Sequence, residues 1–117
     1  MRTPKEPPRD QITLTGVMYA LSDPARIEIL SFLAKTGEQP CSHCGIEMPK
    51  SSLSHHLKVL REAGVISTRI EGTRHINSIR AADLNARFPG LLNAVLRAVR
   101  TCEADNCLQS SVRGRKA

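Results

Sequence analysis

Cys41-Ser42-His43-Cys44 and the pair Cys102 and Cys107 are the residues of this 117-residue chain best suited to coordination or redox chemistry. If the first segment is helical, Cys41 and Cys44 stand about one turn apart with His43 between them, and Cys102 and Cys107 close a second pair near the end of the last helix. Soft ligand pairs of this kind suit Zn(II), Cu(I) or a trivalent arsenic-like ion, As(III), all of which prefer thiolates to carboxylates. They equally suit a redox switch in which a thiol of one segment joins a thiol of the other. A third reading needs no chemistry, because free cysteine packs as a small apolar residue and Cys44 or Cys102 fits a core. The spacing leaves all three open, and it leaves open which cysteines pair.

The second chemistry is recognition of a polyanion, and it is concentrated in residues 50–80. Leu53, Leu57 and Leu60 recur at i, i+4 and i+7, the spacing of one buried helical stripe, which leaves the serines, the histidines and Lys58 on the remaining surface. Gly64 ends this helix. A helix start rich in short hydroxyl side chains, Ser51, Ser52 and Ser54, approaches base edges closely while its backbone N–H groups face phosphates. The plain alternative is an ordinary solvated helix. Six basic side chains lie in this stretch (Lys50, Lys58, Arg61, Arg69, Arg74 and Arg80) against Glu62 and Glu71.

The elements that must hold these residues follow from the chain in order. Residues 1–10, with Pro4, Pro7 and Pro8 among charges, read as a flexible arm. Residues 11–102 form the expected domain. Ile12, Leu14, Val17, Met18 and Leu21 predict a first helix over 11–21. Asp23 can cap a second helix, with Pro24 at its first position where a missing N–H costs nothing, running to about Lys35 and closed by Gly37. Residues 38–49 predict a short third helix or turn bounded by Pro40 and Pro49. A fresh helix over 51–63 then completes a helix-turn-helix. From Ile66 the period changes to two, and Gly72-Thr73 folds residues 66–71 onto 75–79 as a hairpin, the wing. Asp83-Leu84 starts a brief helical turn, Phe88-Pro89-Gly90 breaks it, and a last helix spans about 91–102. Residues 103–117 read as a flexible basic tail.

Composition narrows the function classes. The chain is 40% hydrophobic with three aromatic residues and no Trp, so it lacks the exposed rings on which single-stranded RNA readers stack bases. Its formal charge of +6 favours a polyanionic partner. No apolar run is long enough to span a bilayer, and the polar start has no signal-peptide core, so the sequence predicts a cytoplasmic protein whose cysteines are thiols, metal ligands or redox sensors. The wide apolar faces of the first and last helices exceed what so small a domain covers, which makes them candidate dimer surfaces; a monomeric core explains them equally.

The succession Ala20-Leu21-Ser22-Asp23-Pro24-Ala25-Arg26-Ile27 and Ser54-His55-His56-Leu57-Lys58-Val59-Leu60-Arg61-Glu62-Ala63-Gly64-Val65-Ile66, followed by a charged hairpin, resembles the ArsR family of bacterial repressors over roughly residues 12–100. The resemblance implies a mainly helical fold with a small β-hairpin, a winged helix-turn-helix, assembled as a homodimer through its first and last helices. It implies binding to a palindromic double-stranded operator, with release when an inducer reaches a sensor site. Ser51, Ser52, Ser54, His55 and Lys58 would then face DNA, with Arg69 and Arg74 on the wing, where the alternative is a charged edge that prevents aggregation. His56, next to the buried Leu57, reads equally as a DNA contact or as a partly buried packing residue. Family members use cysteines near the start of the helix-turn-helix or near the end of the last helix for metals or for sensing disulfides, so no resident cofactor is required and an ion would act as inducer. This chain departs from the members that hold zinc across the dimer with paired Asp/His and Glu/His ligands, since none of its four histidines lies in residues 81–117.

Two other classes remain for comparison. A thiol oxidoreductase built on Cys41 and Cys44 would sit at a strand-to-helix junction of a parallel sheet, and no βαβ alternation appears. A winged-helix interaction module turns the same fold's faces to another protein and predicts no sequence-dependent duplex binding, and a winged-helix regulator or module with no cysteine-based sensing is the other alternative.

Overall fold

The computed structural model describes residues 6–37, 39–40 and 48–105. In order, a 3-10 turn at Arg9–Gln11 precedes α1 (Leu14–Ala20), α2 (Pro24–Thr36), β1 (Gln39–Pro40), α3 (Lys50–Glu62), β2 (Ile66–Glu71), β3 (Arg74–Ile79), α4 (Ala81–Arg87) and α5 (Leu91–Asp105). This helical domain, with α3 feeding directly into an antiparallel hairpin, is a winged helix-turn-helix.

Local chemistry sets most of the boundaries. The Thr13 side chain accepts from Gly16 N at 3.0 Å and starts α1, so the expected single helix over 11–21 is instead a 3-10 turn, a break at Ile12 and a seven-residue helix. Asp23 Oδ1 accepts from Ala25 N at 2.8 Å with Pro24 at the first position of α2. α3 closes with two reciprocal bonds, Gly64 N to Arg61 O at 3.1 Å and Val65 N to Leu60 O at 3.0 Å, which satisfy carbonyls that the helix leaves open. Gly64 takes φ +87°, where side chains strain the backbone.

The sheet order is β1-β3-β2, all antiparallel. β2 and β3 pair from Ile66 with Ile79 to Glu71 with Arg74. The two-residue β1 was not expected; it replaces the start of the short helix or turn read over 38–49, because Gln39 and Pro40 pair with Asn77 and Ile76 on the open side of β3. Within the wing, Thr68 and Asn77 are buried polar partners, the threonine hydroxyl donating to Asn77 Oδ1 at 2.8 Å.

The core gathers one stripe from each helix: Val17 and Ala20, Ile29, Leu30 and Leu33, Leu57 and Leu60, Leu84, and Leu92, closed by Ile12, Val65 and Ile66. α4 is a full seven-residue helix rather than a brief turn, and α5 continues to Asp105, past the expected start of the tail.

Residues 6–10, the described part of the arm expected over 1–10, do not lie free. Glu6 accepts from Ser67 Oγ at 3.0 Å and from Thr68 N at 2.8 Å on the outer edge of β2. Arg80 donates to Pro7 O at 2.7 Å, and Arg87 donates to Ile12 O at 2.6 Å. Asp83 receives Arg9 at 2.7 Å and Arg80 at 2.8 Å. These hydrogen bonds, Arg9's first and Arg80's second, hold the Asp83 carboxyl below its ordinary value of 3.8. A folded-state value below the unfolded one adds stability above about pH 4 that is lost as pH falls through the folded value. Asp83→Asn is therefore expected to lower neutral-pH stability by about 0.5–1 kcal/mol, with the difference from wild type vanishing in acid; denaturant midpoints at both pH values check it.

Candidate nucleic-acid interface

α3 presents its first turn to solvent. Its N-cap is Pro49 at φ −56° and ψ 144°, which supplies no side-chain oxygen, so the amides of the first turn are not capped by a side chain. Lys50, Ser51 and Ser52 are exposed there, and Ser54, His55 and Lys58 continue the exposed side. On the opposite side Leu57 and Leu60 are buried, with Leu53 and Val59 half-buried against the core. The helix thus presents its backbone N–H groups and short hydroxyls at one end, where an anion gains from both hydrogen bonds and the helix dipole.

His56 departs from its exposed neighbours. It is half-buried, and its Nδ1 lies 3.2 Å from Arg26 Nη1 on α2. Its ring centroid is 5.7 Å from that of His55. Sequence left this residue between two readings; in the structure it makes a side-chain contact inside the domain. In the sequence Arg26 stands out only as part of the segment from Ala20 to Ile27. A charged residue in the first turn of a helix reads as exposed, and only the fold places it against the carbonyls at the end of α1.

The wing carries Arg69, Glu71 and Arg74 near its tip, with Gly72 at φ +64° in the turn. Arg69 Nε meets Glu71 Oε2 at 2.8 Å, both side chains about half exposed, so part of its charge is offset on the wing. Arg74 is exposed. Arg80, counted among the basic residues of this stretch, is turned inward to Asp83 and Pro7. Arg61 is half-buried.

The cysteine readings fall mostly outside the described residues: Cys41, His43, Cys44 and Cys107 all lie there. Cys102 is half-buried on α5 and is disulfide-bonded. Among the described residues, no three His, Cys, Asp or Glu side chains are grouped to hold a metal ion. No helix among them is long and apolar enough to cross a membrane.

Residues 23–68 match the family described as bacterial regulatory protein, arsR family. The chain is 31% identical over 93 residues to the arsenical resistance operon repressor of Staphylococcus xylosus, covering 77% of this chain and 83% of that protein. It is 37% identical over 59 residues to the HTH-type transcriptional regulator MJ1325 of Methanocaldococcus jannaschii, spanning 49% of this chain and 66% of that relative. The crystal structure of an ArsR family transcriptional regulator, RHA00566, superposes with a TM-score of 0.58 at 25% identity, covering 77% of this chain and 92% of that one.

Proposed function

The chain belongs to the ArsR family of bacterial regulatory proteins, DNA-binding transcription regulators rather than enzymes, and on that premise we propose that it is a cytoplasmic repressor that binds a palindromic operator as a homodimer and is released through its cysteines. The observation that carries the DNA half is the exposed first turn of α3, with Ser51, Ser52, Ser54, His55 and Lys58 on one surface. Two such helices related by a two-fold axis enter successive major grooves, which sets half-sites about one helical turn apart. Titration of duplexes selected from a random library tests it: recovered sites are palindromic with that spacing, and recovery of no preferred sequence would overturn the reading.

The dimer is supported by exposed apolar side chains that the domain does not cover. On α1, Leu14 is 49%, Met18 53% and Tyr19 63% exposed. On α5, Leu92 and Val99 point inward, leaving Ala94 and Ala98 exposed and Leu91, Val95 and Leu96 half-buried. Sedimentation of the wild-type chain is expected to give twice the 12.8 kDa mass, and Met18→Glu to give the monomer; a wild-type monomer at micromolar concentration counts against the assembly.

For the signal, the disulfide at Cys102 supports oxidation, and the arsenical resistance repressor among the relatives supports capture of As(III) or another thiophilic ion such as Zn(II) or Cu(I). Either event lowers operator affinity by favouring one of two dimer conformations. Cys41→Ser, Cys44→Ser, Cys102→Ser and Cys107→Ser proteins are expected to differ in release by arsenite, Zn(II), peroxide and polysulfide, read by band shift and intact mass. Wild-type release by every agent in all four would remove the sensor.

A further inference from the structure

Arg26 is a buried cation with an unusual set of neighbours. It is 5% exposed, at the start of α2. Its Nε donates to Ala20 O at 2.6 Å and its Nη2 to Tyr19 O at 3.4 Å, at the end of α1. Its Cζ lies 5.4 Å from the Tyr19 ring centroid. The remaining direction, Nη1, meets His56 Nδ1 at 3.2 Å on α3. Two carbonyl contacts and a ring already anchor this guanidinium to α1, so the bond to α3 does something the local packing does not require.

What it does follows from donor and acceptor chemistry. A guanidinium carries only donors, so in this contact His56 Nδ1 is the acceptor. A neutral imidazole with a bare Nδ1 carries its hydrogen on Nε2. Among the described residues, Nε2 has no hydrogen-bond partner. His56 lies four residues after the exposed Ser52, on the same line of α3, so the ring stands beside the surface that carries the serines.

We propose that Arg26 is a positioning residue that fixes His56 in its Nε2–H tautomer, and that this N–H is a specificity-determining donor to an acceptor on a base edge of the bound duplex. The acceptors available in the major groove are guanine N7 and O6, adenine N7 and thymine O4. The inference rests on α3 reading DNA and deepens it: one base preference in the operator depends on a residue of α2 that never touches the duplex.

The test has two independent arms. In the free, full-length protein, ring 15N shifts of His56 are expected to show an unprotonated Nδ1 and a protonated Nε2, with Arg26→Met giving a tautomer mixture. In the second arm, His56→Asn keeps an oxygen near the Nδ1 position for Arg26 and removes the Nε2–H. It is expected to retain the wild-type denaturation midpoint and to bind a duplex selected by the wild-type protein about tenfold more weakly, with no change toward an unrelated duplex. A protonated Nδ1 would overturn the pairing, and wild-type affinity of His56→Asn for the selected duplex would overturn the donor role. If the wild type selects no duplex, the reading of α3 fails while the ring spectrum still decides the tautomer. Should Arg26→Met not fold, the wild-type spectrum and His56→Asn decide both claims.

Discussion

Gly64→Ala is expected to destabilise the protein by about 3 kcal/mol, more than any surface substitution, through two separate terms. The backbone at this position has φ +87°, which a residue with a Cβ adopts only at a cost of about 1–2 kcal/mol. The added carbon would also lie 2.6 Å from Ile12 Cγ1 and 2.8 Å from Ile12 Cδ1, and Ile12 is fully enclosed in the core. Neither partner has room to retreat. Ile12 carries the chain from the 3-10 turn into α1, with its carbonyl held by Arg87, while Gly64 carries α3 into the wing through its bonds at Arg61 and Leu60. Urea denaturation measures the loss directly. Gly72→Ala serves as the control, since its φ of +64° carries the backbone strain but nothing lies within 4 Å of the added carbon, so it should lose only the first part. Equal losses at the two glycines would show that packing at Ile12 contributes nothing.

The second large effect concerns affinity. Duplex binding is expected to fall about a thousandfold between about 50 and about 200 mM salt, because each phosphate contact releases counterions. The structure supplies the count. Of the six basic residues between 50 and 80, Arg80 is committed to Asp83 and Pro7, Arg69 is paired with Glu71, and Arg61 is half-buried on the inner part of α3. Lys50, Lys58 and Arg74 remain exposed and, among the described residues, have no ion-pair partner. Three such cations in each of two subunits make about six phosphate contacts, and a slope of about −5 in log affinity against log salt. Lys58→Ala and Arg74→Ala should each weaken binding to all duplexes alike and, counted over both subunits, make the slope shallower by about 2, with unchanged denaturation midpoints. A wild-type slope near −3 would instead indicate three contacts and a single subunit on the DNA. A salt-independent affinity would exclude phosphate contact by these residues.

Much of the fold follows from short-range pattern. The Leu53, Leu57 and Leu60 stripe, the Asp23-Pro24 cap, the period-two stretch from Ile66 and the glycines at 64 and 72 each encode their element within a few residues. That is why α2, α3 and the wing lie where periodicity and capping place them. The candidate reading surface follows too, since the residues opposite a buried helical stripe are exposed whatever the stripe packs against.

Other features depend on partners far away in the chain. β1 has two residues and no pattern of its own; it exists because β3 offers an unpaired edge at Ile76 and Asn77. The Pro-rich start reads as an arm until Arg80 supplies a donor to the Pro7 carbonyl, Asp83 receives Arg9 and the edge of β2 supplies a donor to Glu6.

The sequence by itself determined that this protein carries a groove-sized helix followed by a charged hairpin, because helix period, capping and turn chemistry act over a few residues at a time. The tertiary structure alone decided which charges face solvent and which turn inward. A guanidinium looks the same in the sequence whether it ends at a phosphate, at Asp83 or against His56, and only the packing of distant elements determines which acceptor it meets.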